Sequence, residues 1–243
     1  MLSAIRPDTL LVSLMQLNNE TGIRQPLGEI AAELRDSDIF FHVDAAQGYG
    51  KELESLRNPR IDMLSISGHK IYGPKGVGAL VARRRGFSRI PLAPILFGGG
   101  QERGLRPGTA PVPQIVGMGE AAALAEKMAP RREEQNRAFR DRVVDALSVL
   151  NPAYNGSIDH CAANVMNCSF PGLDSEAVMV ALKDLVGISN GSACTSASYT
   201  PSHVLEAMGL SEARIRGAVR LSWCHMTDEP DWEQIVQRLS SLA

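Results

Sequence analysis

The sequence predicts an α/β fold: a large domain built on a sheet covered on both faces, followed by a small C-terminal α+β domain. Three observations carry that expectation. Apolar runs of strand length alternate with helical patterns early in the chain, two of those runs end in polar turns, and the pattern changes character after Pro130. Strands that are near-continuously apolar suit a sheet with helices on either side. A length of 243 residues allows one or two domains, and the working boundary divides the chain at 1–129 and 130–243.

The elements follow in order. The apolar run 10–15 reads as a strand, and 27–34 as a helix entered just after Pro26. Phe40–Asp44 and Met63–Ser67 are strands, the first ending in a carboxylate, and 77–82 is another. Glycines and prolines make 98–113 a loop. Two helices are expected next, 114–128 and 131–150, broken at Pro130, with Arg131-Arg-Glu-Glu134 as a solvated helix start. The last third predicts a strand at 164–170, a helix at 175–185, a short helix at 202–208 closed by Gly209, a strand at 218–223 and an amphipathic helix at 231–242.

Bulk properties exclude some functions. Hydrophobic residues make up 44% of the chain and aromatic ones only 5%, so Ala, Val, Ile and Leu must fill the core. A formal charge of −2 gives no electrostatic case for direct nucleic-acid binding or a membrane surface. No apolar run approaches a membrane span and the first residues carry no signal-peptide pattern, so a soluble cytoplasmic protein is expected. The four cysteines show no metal-type C-x-x-C pairing, which favours free thiols in a reducing compartment. Cys168 and Cys224 fall in strand patterns and are expected in the core; Cys161 has no evident role.

Chemistry concentrates at the strand ends. Ser67-Gly-His-Lys70 follows one apolar strand and Asp44 ends another, and ligands of open α/β sheets collect at the carboxyl ends of strands. An amine and an acid facing one crevice suit pyridoxal 5'-phosphate (PLP), whose Schiff base needs a lysine and whose ring nitrogen needs an acid. Ser67 and His69 are placed to hydrogen-bond a phosphate, and Gln47 to reach a ring hydroxyl. Bland alternatives stand beside each reading: Lys70 on a surface loop, Asp44 as a helix cap, and Asn18-Asn19 as a plain turn. Arg103, Arg106 and Thr109 lie in a glycine-rich loop that is either a phosphate cradle or a connector. Arg220 interrupts an apolar strand and needs a partner, either a substrate carboxylate or an internal salt bridge. Cys194 lies in Ser189-Asn-Gly-Ser-Ala-Cys-Thr-Ser-Ala-Ser198, where little can bury it; an accessible thiol suits a nucleophilic or redox role.

Together, Leu17-Asn-Asn-Glu-Thr-Gly22, His42-Val-Asp-Ala-Ala-Gln47, Ser67-Gly-His-Lys-Ile-Tyr-Gly-Pro-Lys-Gly76, the loop from Gly98 to Thr109 and Gly191-Ser-Ala-Cys-Thr-Ser196 resemble the PLP-dependent cysteine desulfurases of the NifS/IscS type. These are class V aminotransferases of PLP fold type I, and order and spacing agree along nearly the whole chain. The resemblance implies part of an aspartate aminotransferase-like large domain plus a small domain carrying the active-site cysteine loop. It implies that Lys70 carries the cofactor as a Schiff base, Asp44 pairs with the ring nitrogen and Gln47 with the ring hydroxyl. Ser67 and His69 would bind the phosphate, joined by Thr109 from the other subunit of a homodimer. Asn19 and Arg220 would hold the substrate carboxylate. Cys194 would take sulfur from L-cysteine, leaving L-alanine and a persulfide for a sulfur-acceptor protein, either a scaffold or a carrier.

Two departures accompany the resemblance. It begins inside the family's large domain, so the first sheet strands, a threonine-bearing phosphate turn, a ring-stacking histidine and part of the small domain have no counterpart in these residues. Leu221-Ser-Trp-Cys-His-Met-Thr227 stands where the family commonly has a Gly-Arg pair. Alternatives to desulfurase activity are a shortened, non-catalytic protein that dimerises or binds a scaffold, and a sibling PLP enzyme such as selenocysteine lyase.

Overall fold

A computed structural model describes residues 1–191 and 201–242. They divide into two units, Met1–Gln16 with Gln25–Ala129 and Leu17–Arg24 with Pro130–Ala243. The short stretch Leu17–Arg24 therefore groups with the C-terminal part of the chain.

In the first unit a four-stranded sheet runs in the order β1 (Leu11–Met15), β2 (Phe40–Asp44), β3 (Met63–Ser67) and β4 (Gly78–Ala82). The first three strands are parallel and β4 is antiparallel to β3. Helix α1 (Leu27–Glu33) makes the crossover from β1 to β2. It buries Leu27, Ile30 and Ala31, with Leu34 just beyond, against Val12, Phe41, Val43 and Leu64 of the sheet. These strand residues alternate along the chain, so they share one face.

The other face departs from the sequence expectation of a sheet covered on both sides. On this face Leu11, Met15 and Leu80 are exposed, while Met63 is buried and the Arg85 guanidinium lies over the Phe40 ring.

The sheet is closed at one end by an ion network. Asp62, buried just before β3, accepts from the Phe41 backbone at 2.7 Å, from Arg60 Nη1 at 2.8 Å and from Arg85 Nε and Nη2 at 2.8 Å each. Burial pushes its carboxyl up, yet the Arg85 and Phe41 hydrogen bonds with the Arg60 contact outweigh this and hold it below the ordinary value.

Helix α2 (Val112–Leu147) is continuous through Pro130, where the sequence predicts a break. A mid-helix proline removes one hydrogen bond and crowds the preceding turn. Packing on either side offsets this: Ala121 and Ala125 bury against Ile71 in the first unit, while Phe139, Val143 and Leu147 enter the core of the second.

The second unit holds an antiparallel sheet in the order β5 (Ala153–Tyr154), β6 (Val165–Ser169) and β7 (Ala218–Ser222). Its helices are α3 (Ser175–Leu182), α4 (His203–Ala207), α5 (Glu212–Arg216) and α6 (Trp232–Ser240). Each starts at a side-chain cap: Asp174, Ser202, Ser211 and Asp231 accept backbone N–H groups of Glu176, Leu205, Arg214 and Gln234. Such caps satisfy donors that the first helical turn leaves open. Apolar faces of α2, α3 and α6 close on Met166, Cys168 and Val219, and Trp223 donates to the Asn136 carbonyl at 3.1 Å.

Cys168 is fully buried, and burial drives its thiol to about 12. Cys224 corrects the expectation of a core position: β7 ends at Ser222, and the thiol sits half-exposed in the following turn. Cys161, to which the sequence assigned no role, is buried with its thiol donating to the Thr21 carbonyl at 3.2 Å.

Candidate active site

In the first unit the polar groups gather where the parallel strands end. Asp44 closes β2 and pairs with Ser65 on β3. Its Oδ1 accepts from the Ala46 backbone at 2.9 Å and from Ser65 Oγ at 3.3 Å. The carboxylate therefore fixes a tight turn at 46–50 and caps no helix. Among the described residues Oδ2 has no hydrogen-bond donor, so one oxygen is satisfied and the other is open to a ligand.

Lys70 lies in a single 3-10 turn, Gly68–Ile71, that follows β3 directly. Close packing shapes that turn. A Cβ on Gly68 would come within 3.0 Å of the Val77 carbonyl and 3.2 Å of the Pro74 carbonyl, so a side chain here would have to push both carbonyls back by a few tenths of an ångström. Tyr72 leaves the turn in the left-handed region at φ 67°. Lys70 is half-buried and makes no ion pair or hydrogen bond among the described residues. Lys51 lies close enough to feel it: burial, then the charge of Lys70, lowers the Lys51 amine from 10.5 to about 8.

Ser67 Oγ and His69 Nδ1 are 2.9 Å apart and form one polar pair beside Lys70. Gln47 is half-buried on the turn after Asp44. Thr109 is exposed, with Arg103 and Arg106, on the glycine-rich loop, where Arg106 Nη1 donates to the Pro107 carbonyl at 2.7 Å.

A second polar cluster belongs to the second unit. The Asn18 side chain accepts from the backbones of Glu20 and Thr21, each at 2.9 Å, and so builds its own turn. Gly22 completes it at φ +75°, where a Cβ would meet Val165 Cγ1 at 2.6 Å. That turn delivers the Asn19 carbonyl to Arg220 Nη1 at 3.1 Å. Arg220 forms no ion pair among the described residues, and its Nε is buried without a partner. Of the two partners the sequence left open, the internal salt bridge is absent there. Glu20, also buried, accepts the Ser202 hydroxyl at 2.5 Å. Cys194 lies outside the described residues.

Sequence reasoning assigned no role to Ser13, His42, Ser65 or Lys51. The first three were detectable as polar residues at alternate positions within apolar strands. Lys51 was not, because its burial depends on tertiary packing.

The donor set fits PLP. The open Asp44 oxygen matches a protonated pyridine, Lys70 is an unengaged amine, and Ser67 with His69 supplies groups for a phosphate.

Comparison with known proteins agrees. Residues 1–235 match the Aminotransferase class-V family. The mitochondrial cysteine desulfurase of Saccharomyces cerevisiae is 45% identical over 238 residues, covering 98% of this chain and 47% of that protein. Cysteine desulfurase IscS of Actinobacillus succinogenes is 44% identical over 240 residues, covering 98% of this chain and 59% of that one. Among solved structures, DndA from Streptomyces lividans superimposes with a TM-score of 0.80 at 48% identity, covering 95% of this chain and 63% of that chain. The NifS-like protein from Rickettsia africae gives 0.83 at 27% identity, covering 99% and 64%. The chain thus spans about half to three-fifths of the length of these curated relatives.

Proposed function

Because this chain belongs to the class-V aminotransferase family, whose cysteine desulfurases use PLP, we propose that it serves cysteine desulfuration. The substrate is L-cysteine and the products are L-alanine and a persulfide passed to a sulfur-acceptor protein. The observation that carries this reading is the Asp44 carboxylate, with one oxygen held by Ala46 and Ser65 and the other open, at a strand end next to the turn bearing Lys70.

Each residue has a task in this reading. Asp44 holds a proton on the ring nitrogen, Lys70 supplies the amine that retains the cofactor, and Gln47 meets the ring hydroxyl. Ser67 and His69 bind phosphate, and Thr109 does so for the second copy in a homodimer. Arg220 offers a half-buried guanidinium to the substrate carboxylate, with the Asn19 turn fixing its position. When bound, PLP supplies the electron sink that loosens bonds at the substrate α-carbon. Cys194 takes the sulfur. Free buried thiols at Cys161 and Cys168 suit a reducing cytoplasm.

The test is spectroscopic and then chemical. Added PLP should give a visible absorption band that Lys70→Ala abolishes, and alanine should form from cysteine only with Cys194 present. A protein that stays colourless with PLP defeats the reading. The exposed apolar side chains Leu11 and Leu80 favour a second reading, a non-catalytic protein that docks another polypeptide. Capture of a sulfur-acceptor protein without any alanine formation would favour it.

A further inference from the structure

Three polar side chains interrupt the apolar strands on one face of the first sheet. Ser13 Oγ lies 2.8 Å from His42 Nδ1. His42 Nε2 lies 3.2 Å from Ser65 Oγ, and Ser65 Oγ donates to Asp44 Oδ1 at 3.3 Å. Register makes this chain of contacts: Ser13 stands opposite His42, and Asp44 opposite Ser65. His42 and Asp44, two residues apart, share a face.

With a neutral His42 ring, one arrangement of protons satisfies all three contacts. An ionised carboxylate accepts and never donates, so the Ser65 hydroxyl proton points at Asp44. The Ser65 oxygen must then accept, which places a hydrogen on His42 Nε2. A neutral imidazole has a single N–H, so Nδ1 accepts from the Ser13 hydroxyl. Burial lowers the His42 pKa from 6.5 against the pull of Asp44, which favours the neutral ring.

We infer that His42 and Ser65 are positioning residues for Asp44, forming a one-way chain of hydrogen bonds from Ser13 that fixes Oδ1 and leaves Oδ2 to meet a cationic ring nitrogen. The inference rests on the reading of Asp44 as the partner of the PLP ring. Ser13 and Asp44 are exposed at the two ends of the chain, and His42 and Ser65 are half-buried between them. Donors lined up in one direction polarise one another and favour the negative charge at the far end. They also resist rotation of the carboxylate, which a single backbone contact at Ala46 would permit.

The first measurement needs no cofactor. Nitrogen NMR of the protein free of PLP at neutral pH should show His42 as the Nε2–H tautomer, and Ser65→Ala should disturb that signature. An Nδ1–H or doubly protonated ring, or a signature indifferent to Ser65→Ala, overturns the inference. The second measurement is PLP affinity. His42→Gln keeps an N–H donor near the Nε2 position and should bind within about threefold of the parent. His42→Phe should lose about tenfold, the equivalent of one hydrogen bond. Equal affinity of the parent and His42→Phe overturns the inference. Ser65→Ala gives the same comparison if His42→Phe fails to fold, as judged by circular dichroism. Should the parent bind no PLP at all, the proposed function fails, while the tautomer still decides whether the hydrogen-bond chain exists.

Discussion

At the scale of single residues, two buried charges set the most direct expectations. Asp62 neutralises Arg60 and Arg85 together, so removing it strands two guanidinium groups at the start of β3. Asp62→Ala should destabilise the protein by roughly 3 kcal/mol, read from the denaturant midpoint. Its carboxyl is held below the ordinary 3.8, so the stabilisation is present above that pH and disappears as acid protonates the group. Lys51 behaves oppositely at the basic end. Its amine falls from 10.5 unfolded to about 8 folded, so the folded state gives up the proton first. Stability should therefore rise as pH climbs from about 8 towards 10.5, and Lys51→Met should flatten that rise in urea titrations. A slope that survives the substitution would assign it to another group.

At the scale of elements, α2 and the turn holding Lys70 respond to substitution in opposite ways. Pro130→Ala restores a backbone donor inside a helix that is already continuous, and should stabilise by about 1–3 kcal/mol in denaturant titration. Gly68→Ala places a methyl group against the Val77 and Pro74 carbonyls and must shift the turn that carries Lys70. PLP loading, followed by absorbance, should fall even where the fold survives. Element types were largely legible in sequence because they follow from local patterns. The strands Phe40–Asp44 and Met63–Ser67 match the structure end to end, and 10–15 differs by one residue from Leu11–Met15. Pro130 was misread because tertiary burial on both sides of it overrides a local penalty. Helix α5 went unnoticed because five residues carry too little periodicity.

At the scale of the whole molecule, exposed apolar side chains on the first sheet bear on behaviour in solution. Leu11, Met15 and Leu80 are exposed apolar side chains on either side of the polar row Ser13, His42, Ser65 and Asp44. Leu80→Lys should lower binding of a hydrophobic dye and aggregation on heating, with stability changing by less than about 0.5 kcal/mol. Strand patterning could not show this exposure, since an apolar residue in a strand reads alike whether it is packed or exposed. The candidate site residues stand out in the sequence for a different reason: Asp44, Ser67, His69 and Lys70 sit at strand ends, where apolar runs stop. The partners of Asp44 were not, because Ser65 reaches it across strands that lie far apart in sequence.

The Asp62 network closes the sheet at the start of β2 and β3, whereas Asp44 lies at their finish, about 10 Å along the strand. Separation of that order makes energetic effects additive. A double variant at Asp62 and Asp44 should therefore show a near-zero interaction energy in a thermodynamic cycle, so a laboratory can toughen one end of this sheet while redesigning the chemistry at the other.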